Sequence, residues 1–77
     1  MIQETLNQIE QQIGLTLNPC TSFPGIHCLN GASYFNVEIP ERVSESLQFM
    51  QLLSYSDKYR TIRVEPNGLN RIAIFPA

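Results

Sequence analysis

The chain has 77 residues, a formal net charge of -2 and a hydrophobic fraction of 43%, which is ordinary composition for one small folded domain. Five Lys and Arg against seven Asp and Glu argue against a protein that coats nucleic acid by bulk positive charge. No apolar run approaches the ~20 residues of a membrane-spanning helix, and the amino-terminal residues lack the basic and apolar regions of a secretory signal. We therefore expect a single cytoplasmic domain over residues 1–77, without membrane attachment, in which Cys20 and Cys28 stay reduced.

The first predicted element is an amphipathic helix over residues 2–13, because its large apolar residues recur at the spacing of one helical face. These residues are Ile2, Leu6, Ile9 and Ile13. Gly14 follows at the place of a left-handed C-cap, so we expect the helix to end there. Residues 18–25 contain two prolines and a glycine, which predict an irregular loop of the kind that often carries binding residues.

Residues 26–39 predict a β-hairpin. Asn30-Gly31 is the preferred pair for a type I′ turn, because both turn positions need a positive φ. The register that this turn sets pairs His27 with Tyr34, and both side chains then face away from the core. The residues directed to the core are Ile26, Cys28, Phe35, Val37 and Ile39.

A second helix is predicted to start at Pro40, which suits a first helical turn. No Ser, Thr, Asp or Asn directly precedes Pro40, so we expect this helix to lack a side-chain cap. Helical spacing predicts a core stripe of Val43, Leu47, Met50 and Leu53, with Phe49 beside it. Leu52 and Tyr55 then fall on the outer side, where they become candidates for an exposed contact surface.

Residues 59–75 predict a second hairpin around the turn residues 66–68. A three-residue loop sets Arg63 opposite Arg71, and a longer loop sets Glu65 opposite Arg71. Turn chemistry favours the first register and charge pairing favours the second. Both registers direct the two arginines to the sheet face that lies away from the core.

The order helix, hairpin, helix, hairpin predicts an α+β domain of two layers. Its sheet has four mostly antiparallel strands, and both helices pack on one face. If the second helix joins neighbouring strands as a right-handed crossover, the second and third strands form one parallel pair.

Side chains suited to catalysis are scarce in this chain. His27 is its one histidine, and the adjacent Cys28 points to the opposite side of the predicted strand. A zinc site needs four ligands, whereas Cys20, His27 and Cys28 supply at most three. No glycine-rich phosphate-binding motif occurs. We therefore expect a protein that is not an enzyme and that needs no metal or cofactor.

The charged residues are distributed unevenly along the chain. Residues 57–77 carry four cations against two anions, whereas residues 1–40 carry three anions and no cation. Tyrosine and arginine on an open sheet face are typical of protein interfaces. The predicted binding residues are Tyr34, Leu52, Tyr55, Arg60, Arg63 and Arg71.

The primary hypothesis is a protein-binding module, acting as an inhibitor, an adaptor or an assembly subunit. Its partner is a different protein or, in a homodimer, a second copy bound through an open sheet edge. Small chains of this kind are often encoded by phages or mobile elements and directed at a host protein.

The alternative hypothesis is a small nucleic-acid-binding domain that uses the arginine-bearing second hairpin. Phosphates would bind the cations and bases would stack on Tyr34. The cations are Lys58, Arg60, Arg63 and Arg71. This hypothesis predicts affinity that falls steeply with salt, and the negative net charge counts against it.

Overall fold

The computed structural model describes residues 2–20 and 25–77. Its helices and strands, in chain order, are α1 (Ile2–Ile13), β1 (Ile26–Leu29), β2 (Ala32–Glu38), α2 (Leu47–Tyr59), β3 (Ile62–Pro66) and β4 (Arg71–Pro76). A short 3-10 turn, Val43–Glu45, precedes α2. The predicted α+β architecture, with four strands and two helices in the described part of the chain, is confirmed.

The four strands form one sheet in the order β1-β2-β4-β3, and every neighbouring pair is antiparallel. The second and third strands are not neighbours, so the conditional parallel pair does not form. β4 lies between β2 and β3, so the connection through α2 passes over β4 rather than joining neighbours. This arrangement is a split β-α-β unit.

α1 ends where the sequence predicts. Gly14 has a φ of 76°, and its amide donates to the Glu10 carbonyl oxygen at 2.9 Å. The Glu10 carboxylate also accepts a 2.9 Å hydrogen bond from the Leu17 amide, which holds the chain leaving the helix. Leu17 is buried as a result.

The β1–β2 hairpin has the predicted turn and the predicted register. Asn30 and Gly31 both have positive φ, at 52° and 81°, as a type I′ turn requires. His27 pairs with Tyr34, as expected from that turn. The expectation that Ile26 and Cys28 are core residues is wrong, because β1 is an edge strand and both side chains remain exposed.

The segment before β1 also contacts the sheet. Pro19 forms an isolated bridge with Val37, and the backbone of Asn18 and Cys20 bonds to β2 on either side of it. Part of the predicted irregular loop is therefore strand-like. The loop was also predicted to carry binding residues. Residues 21–24 of the loop lie outside the described residues.

The β3–β4 hairpin has neither of the two predicted registers. Val64 pairs with Ile74 and Pro66 pairs with Ile72, so the loop comprises residues 67–70. Asn67 closes the loop, since its amide donates to the Arg71 carbonyl oxygen at 2.9 Å. Its side chain also donates to the side-chain oxygen of Asn36 on β2. This contact between β2 and the β3–β4 loop favours a loop of four residues, which is longer than the loop that local turn chemistry predicts.

α2 begins later than predicted, at Leu47 rather than at Pro40. Ser46 is its N-cap, and the Ser46 Oγ accepts a 3.1 Å hydrogen bond from the Phe49 amide. The expected absence of a cap was wrong because it assumed an earlier start. The intervening Val43–Glu45 turn is a separate 3-10 segment.

The buried side of α2 differs from the predicted one. Leu52 and Tyr55 are buried, at 0% and 7% exposure. The predicted stripe is mostly outside: Leu47, Met50 and Leu53 are 67%, 53% and 41% exposed. The prediction assumed helical periodicity from Val43 onward, but Ser46 is extended (φ -87°, ψ 123°) and interrupts that periodicity. Leu52 and Tyr55 are therefore core residues, and their predicted exposure was wrong.

The core lies between the sheet and both helices. Every sheet residue in it comes from one face, so α1 and α2 pack on the same side, as predicted. The buried core residues are Leu6, Ile9, Leu17, Val37, Ile39, Val43, Leu52, Tyr55, Ile62, Val64, Ile72 and Ile74. Neither α1 nor α2 is long and apolar enough to cross a membrane.

Candidate functional site

Side chains from all four strands form a line across the sheet face that lies away from α1 and α2. The ring centroids of His27 and Tyr34 are 5.5 Å apart, and those of Tyr34 and Phe75 are 5.1 Å apart. The guanidinium carbon of Arg63 lies 4.1 Å from the Phe75 ring centroid. We call these four side chains the cross-strand row.

The strand register explains the cross-strand row. His27 is the direct partner of Tyr34, and Arg63 is the direct partner of Phe75. Cross-strand pairs that involve aromatic side chains contribute about 0.2–1 kcal/mol each, and a cation over a ring at an exposed site contributes about 0.5–1 kcal/mol. Phe75 is only 6% exposed although it points away from the core. Tyr34 and Arg63 both contact its ring.

Charges on this sheet face occur in opposite pairs. Arg63 forms a 2.5 Å ion pair with Glu65, two residues along the same strand. Arg71 on β4 is the direct cross-strand partner of Glu38 on β2. The charges of these two arginines and two glutamates therefore sum to zero.

The predicted binding residues do not all come together. Tyr34 and Arg63 both belong to the cross-strand row. Arg71 shares their face but lies four residues along β4 from Phe75, beside Glu38. Arg60 is the C-cap of α2, where it has a φ of 58°. Leu52 and Tyr55 lie in the core.

Two members of the cross-strand row were missing from the predicted binding residues. His27 was predicted as the partner of Tyr34, but not as part of a binding surface. Phe75 was not singled out, although alternation along the last strand gives the signal: Ile72 and Ile74 face the core, so Phe75 faces the other way.

A second exposed surface was also missed. Leu47, Met50 and Leu53 lie at helical spacing on the outer side of α2, and we call them the outer stripe of α2. The sequence prediction assigned these residues to the core. Large apolar side chains exposed together are less common on soluble proteins than isolated ones.

The two cysteines of the chain differ in burial. Cys20 is buried and Cys28 is exposed, and neither forms a disulfide. Among the residues that the structure describes, no group of three or more His, Cys, Asp or Glu side chains is arranged to hold a metal ion. The cross-strand row offers stacking, cation and amphipathic contacts.

Comparison of the chain with protein-family models, curated proteins and solved structures gave no significant match. The surface chemistry of this chain is therefore the basis for a functional proposal.

Proposed function

We propose that the protein is a non-enzymatic protein-binding module, acting as an inhibitor, an adaptor or an assembly subunit, with the cross-strand row at the centre of its binding surface. The supporting observation is that Tyr34, Phe75 and Arg63 stack on one another across three strands. Aromatic residues and arginine are enriched in the buried centres of protein interfaces.

The row suits a partner because its side chains are already held in place. Each of the three contacts in the row restrains a ring or a guanidinium group before any partner arrives. Binding costs about 0.5–1.5 kcal/mol for each flexible side chain that must be immobilised. A row that is ordered beforehand avoids part of this cost.

The charge balance of the face favours a protein over a nucleic acid. Binding to phosphates depends on cations that release counterions, whereas Arg63 is neutralised by Glu65 and Arg71 lies opposite Glu38. Base stacking also needs an open ring face, and Phe75 is 6% exposed. A protein surface can accommodate paired charges and partly covered rings.

The test is affinity capture with an Arg63→Glu variant and an Arg60→Glu variant as the matched control. The first substitution removes the cation from Phe75 and places a second carboxylate beside Glu65, so we expect a loss of partner affinity of about 30-fold or more. The second changes the net charge equally but lies outside the cross-strand row. Equal capture by both variants, with folding confirmed by circular dichroism, would contradict the proposed surface.

Nucleic-acid binding remains the second candidate, because an arginine and aromatic rings do share a sheet face away from the helices. It predicts that the wild-type protein retains RNA or single-stranded DNA at low salt and releases it as salt rises. Retention of this kind, lost on Arg63→Glu, would favour the second candidate over the first.

A further inference from the structure

The two edges of the sheet differ in how well they are protected. The β3 edge carries Arg63, Glu65 and Pro66, which are the charges and proline that discourage further strand pairing. The Ser56 hydroxyl also donates to the Ile62 carbonyl oxygen at 2.7 Å, so α2 occupies one acceptor of this strand. Another strand would therefore add poorly to β3.

β1 lacks the charged residues and the proline that protect β3. Its sequence, Ile26–Leu29, contains no Lys, Arg, Asp, Glu or Pro. Ile26 is 47% exposed and Leu29 is 55% exposed, and the Cys28 side chain is exposed as well. An edge strand without these residues and with exposed apolar side chains is a template for pairing with another strand.

The hairpin geometry determines which backbone groups of β1 point outward. In a two-residue hairpin the residues that flank the turn exchange hydrogen bonds, and bonded pairs alternate with non-bonded pairs along the strands. Leu29 and His27 therefore direct their amides and carbonyls toward β2. Ile26 and Cys28 direct theirs away from the sheet, where another strand can bond to them.

We propose that β1 pairs with β1 of a second copy of this chain, antiparallel, so that two four-stranded sheets join into one of eight strands. The twofold axis passes between the two His27 residues. The outward backbone groups of Ile26 then bond to those of Cys28 in the second copy, and the reciprocal pair forms on the other side of the axis.

A second copy suits this edge for three reasons. β1 contains no Lys, Arg, Asp or Glu, so the twofold axis brings no two side chains of these types together. The register places Leu29 toward Gly25 of the second copy, which has no side chain to obstruct it. The two His27 side chains also meet, so the two cross-strand rows join into one line that runs from Arg63 to Arg63 across eight strands.

The expected dimer is weak, because four residues per strand bury much less than the ~800 Å² per partner of a stable interface. We expect the molar mass by light scattering to rise from monomer toward dimer as protein concentration increases. A wild-type mass that stays monomeric up to millimolar concentration would overturn the proposal.

The matched variants for the dimer are Cys28→Pro and Cys28→Ser. Proline removes the outward amide of residue 28 and leaves the bonds to β2 in place, so the dimer should be lost. Serine keeps the amide, so the dimer should persist. Ile26→Lys gives an independent edge disruption if the proline variant fails to fold. Dimers that persist in a folded proline variant, or in the lysine variant if the proline variant does not fold, would refute pairing through β1.

Disulfide trapping tests the register. In a Cys28→Ser background, residues 27 of the two copies face each other in a non-hydrogen-bonded pair about 4.5 Å apart, which is close enough for a disulfide. Residues 29 lie about 14 Å apart along the strands, which is too far. His27→Cys should therefore give an oxidised dimer and Leu29→Cys should not. Equal crosslinking at both positions would reject the register.

This proposal is separable from partner binding at the cross-strand row. Arg63→Glu lies on the opposite edge strand from β1, so it should reduce partner capture and leave the monomer–dimer equilibrium unchanged. Cys28→Pro should abolish the dimer whether or not a partner binds the row.

Discussion

At the scale of single residues, Ser46 connects two different backbone conformations. It is fully buried, it ends the 3-10 turn in an extended conformation, and its hydroxyl caps α2 through the Phe49 amide. A capping hydroxyl satisfies one of the amides that the first turn of a helix leaves unbonded. Ser46 therefore determines both where α2 starts and which of its sides faces the sheet.

Replacing Ser46 with Ala should lower the free energy of unfolding by about 1 kcal/mol, with an upper range of about 2 kcal/mol, because the cap is lost. The measurement is urea denaturation followed by circular dichroism. Ser44→Ala is the matched control, since Ser44 is exposed in the preceding turn. An equal effect of the two substitutions would show that the Ser46 hydroxyl is not an important cap.

Arg60 occupies a left-handed conformation at the end of α2, with a φ of 58° and a ψ of 28°. The left-handed conformation is unfavourable by about 1–2 kcal/mol for residues with a Cβ. Glycine avoids this strain but loses about 0.5–1 kcal/mol more conformational entropy on folding. Arg60→Gly should therefore stabilise the protein by about 0.5–1 kcal/mol, measured by thermal and urea unfolding. Arg60→Ala retains the Cβ and should give no such gain; equal gains would mean that backbone strain is not the cause.

At the scale of elements, α2 presents two rows of large apolar residues, only one of which faces the sheet. Adjacent leucines separate them: Leu52 is fully buried and Leu53 is 41% exposed. Leu52→Ala should cost about 2–5 kcal/mol, as buried leucines do, whereas Leu53→Ala should cost about 0.5 kcal/mol or less. Chemical denaturation of both variants measures the difference, and a larger cost at Leu53 would mean that the helix is rotated.

The hairpins show which elements could be predicted from the sequence. The β1–β2 register depends on a turn of two adjacent residues, Asn30 and Gly31, so local information was enough. The β3–β4 register depends in addition on the contact of Asn67 with Asn36, which is 31 residues away. No turn propensity contains that contact, and both predicted registers were wrong.

The candidate site was predictable to a similar extent. Tyr34 and Arg63 follow from strand alternation alone, which fixed their face correctly. The exposed side of α2 could not be obtained in the same way, because a helix with apolar residues on two sides has no single amphipathic direction. The N-cap at Ser46 decides which side of α2 faces the sheet. Because the helix was predicted to start at Pro40, Ser46 was treated as a residue within the helix and not as its cap.

At the scale of the whole molecule, the reactivity of the two thiols distinguishes surface exposure from opening of the structure. Cys28 is exposed on the edge strand, whereas Cys20 has no exposed surface. A thiol reagent should therefore modify one cysteine rapidly in the native protein. The second should react only as fast as the structure opens, and in denaturant both should react at once. Two rapid modifications under native conditions would contradict the burial of Cys20.

The central position of β4 has a consequence for how the chain is made. β4 bonds to β2 on one side and to β3 on the other, yet it is the last of the four strands to be synthesised. A nascent chain that has been synthesised as far as Pro66 contains β2 and β3, but β4, which lies between them in the sheet, is still missing. The apolar faces of β2 and β3 then stay open until residues 71–76 leave the ribosome, so we expect folding to follow translation of this segment rather than to accompany it.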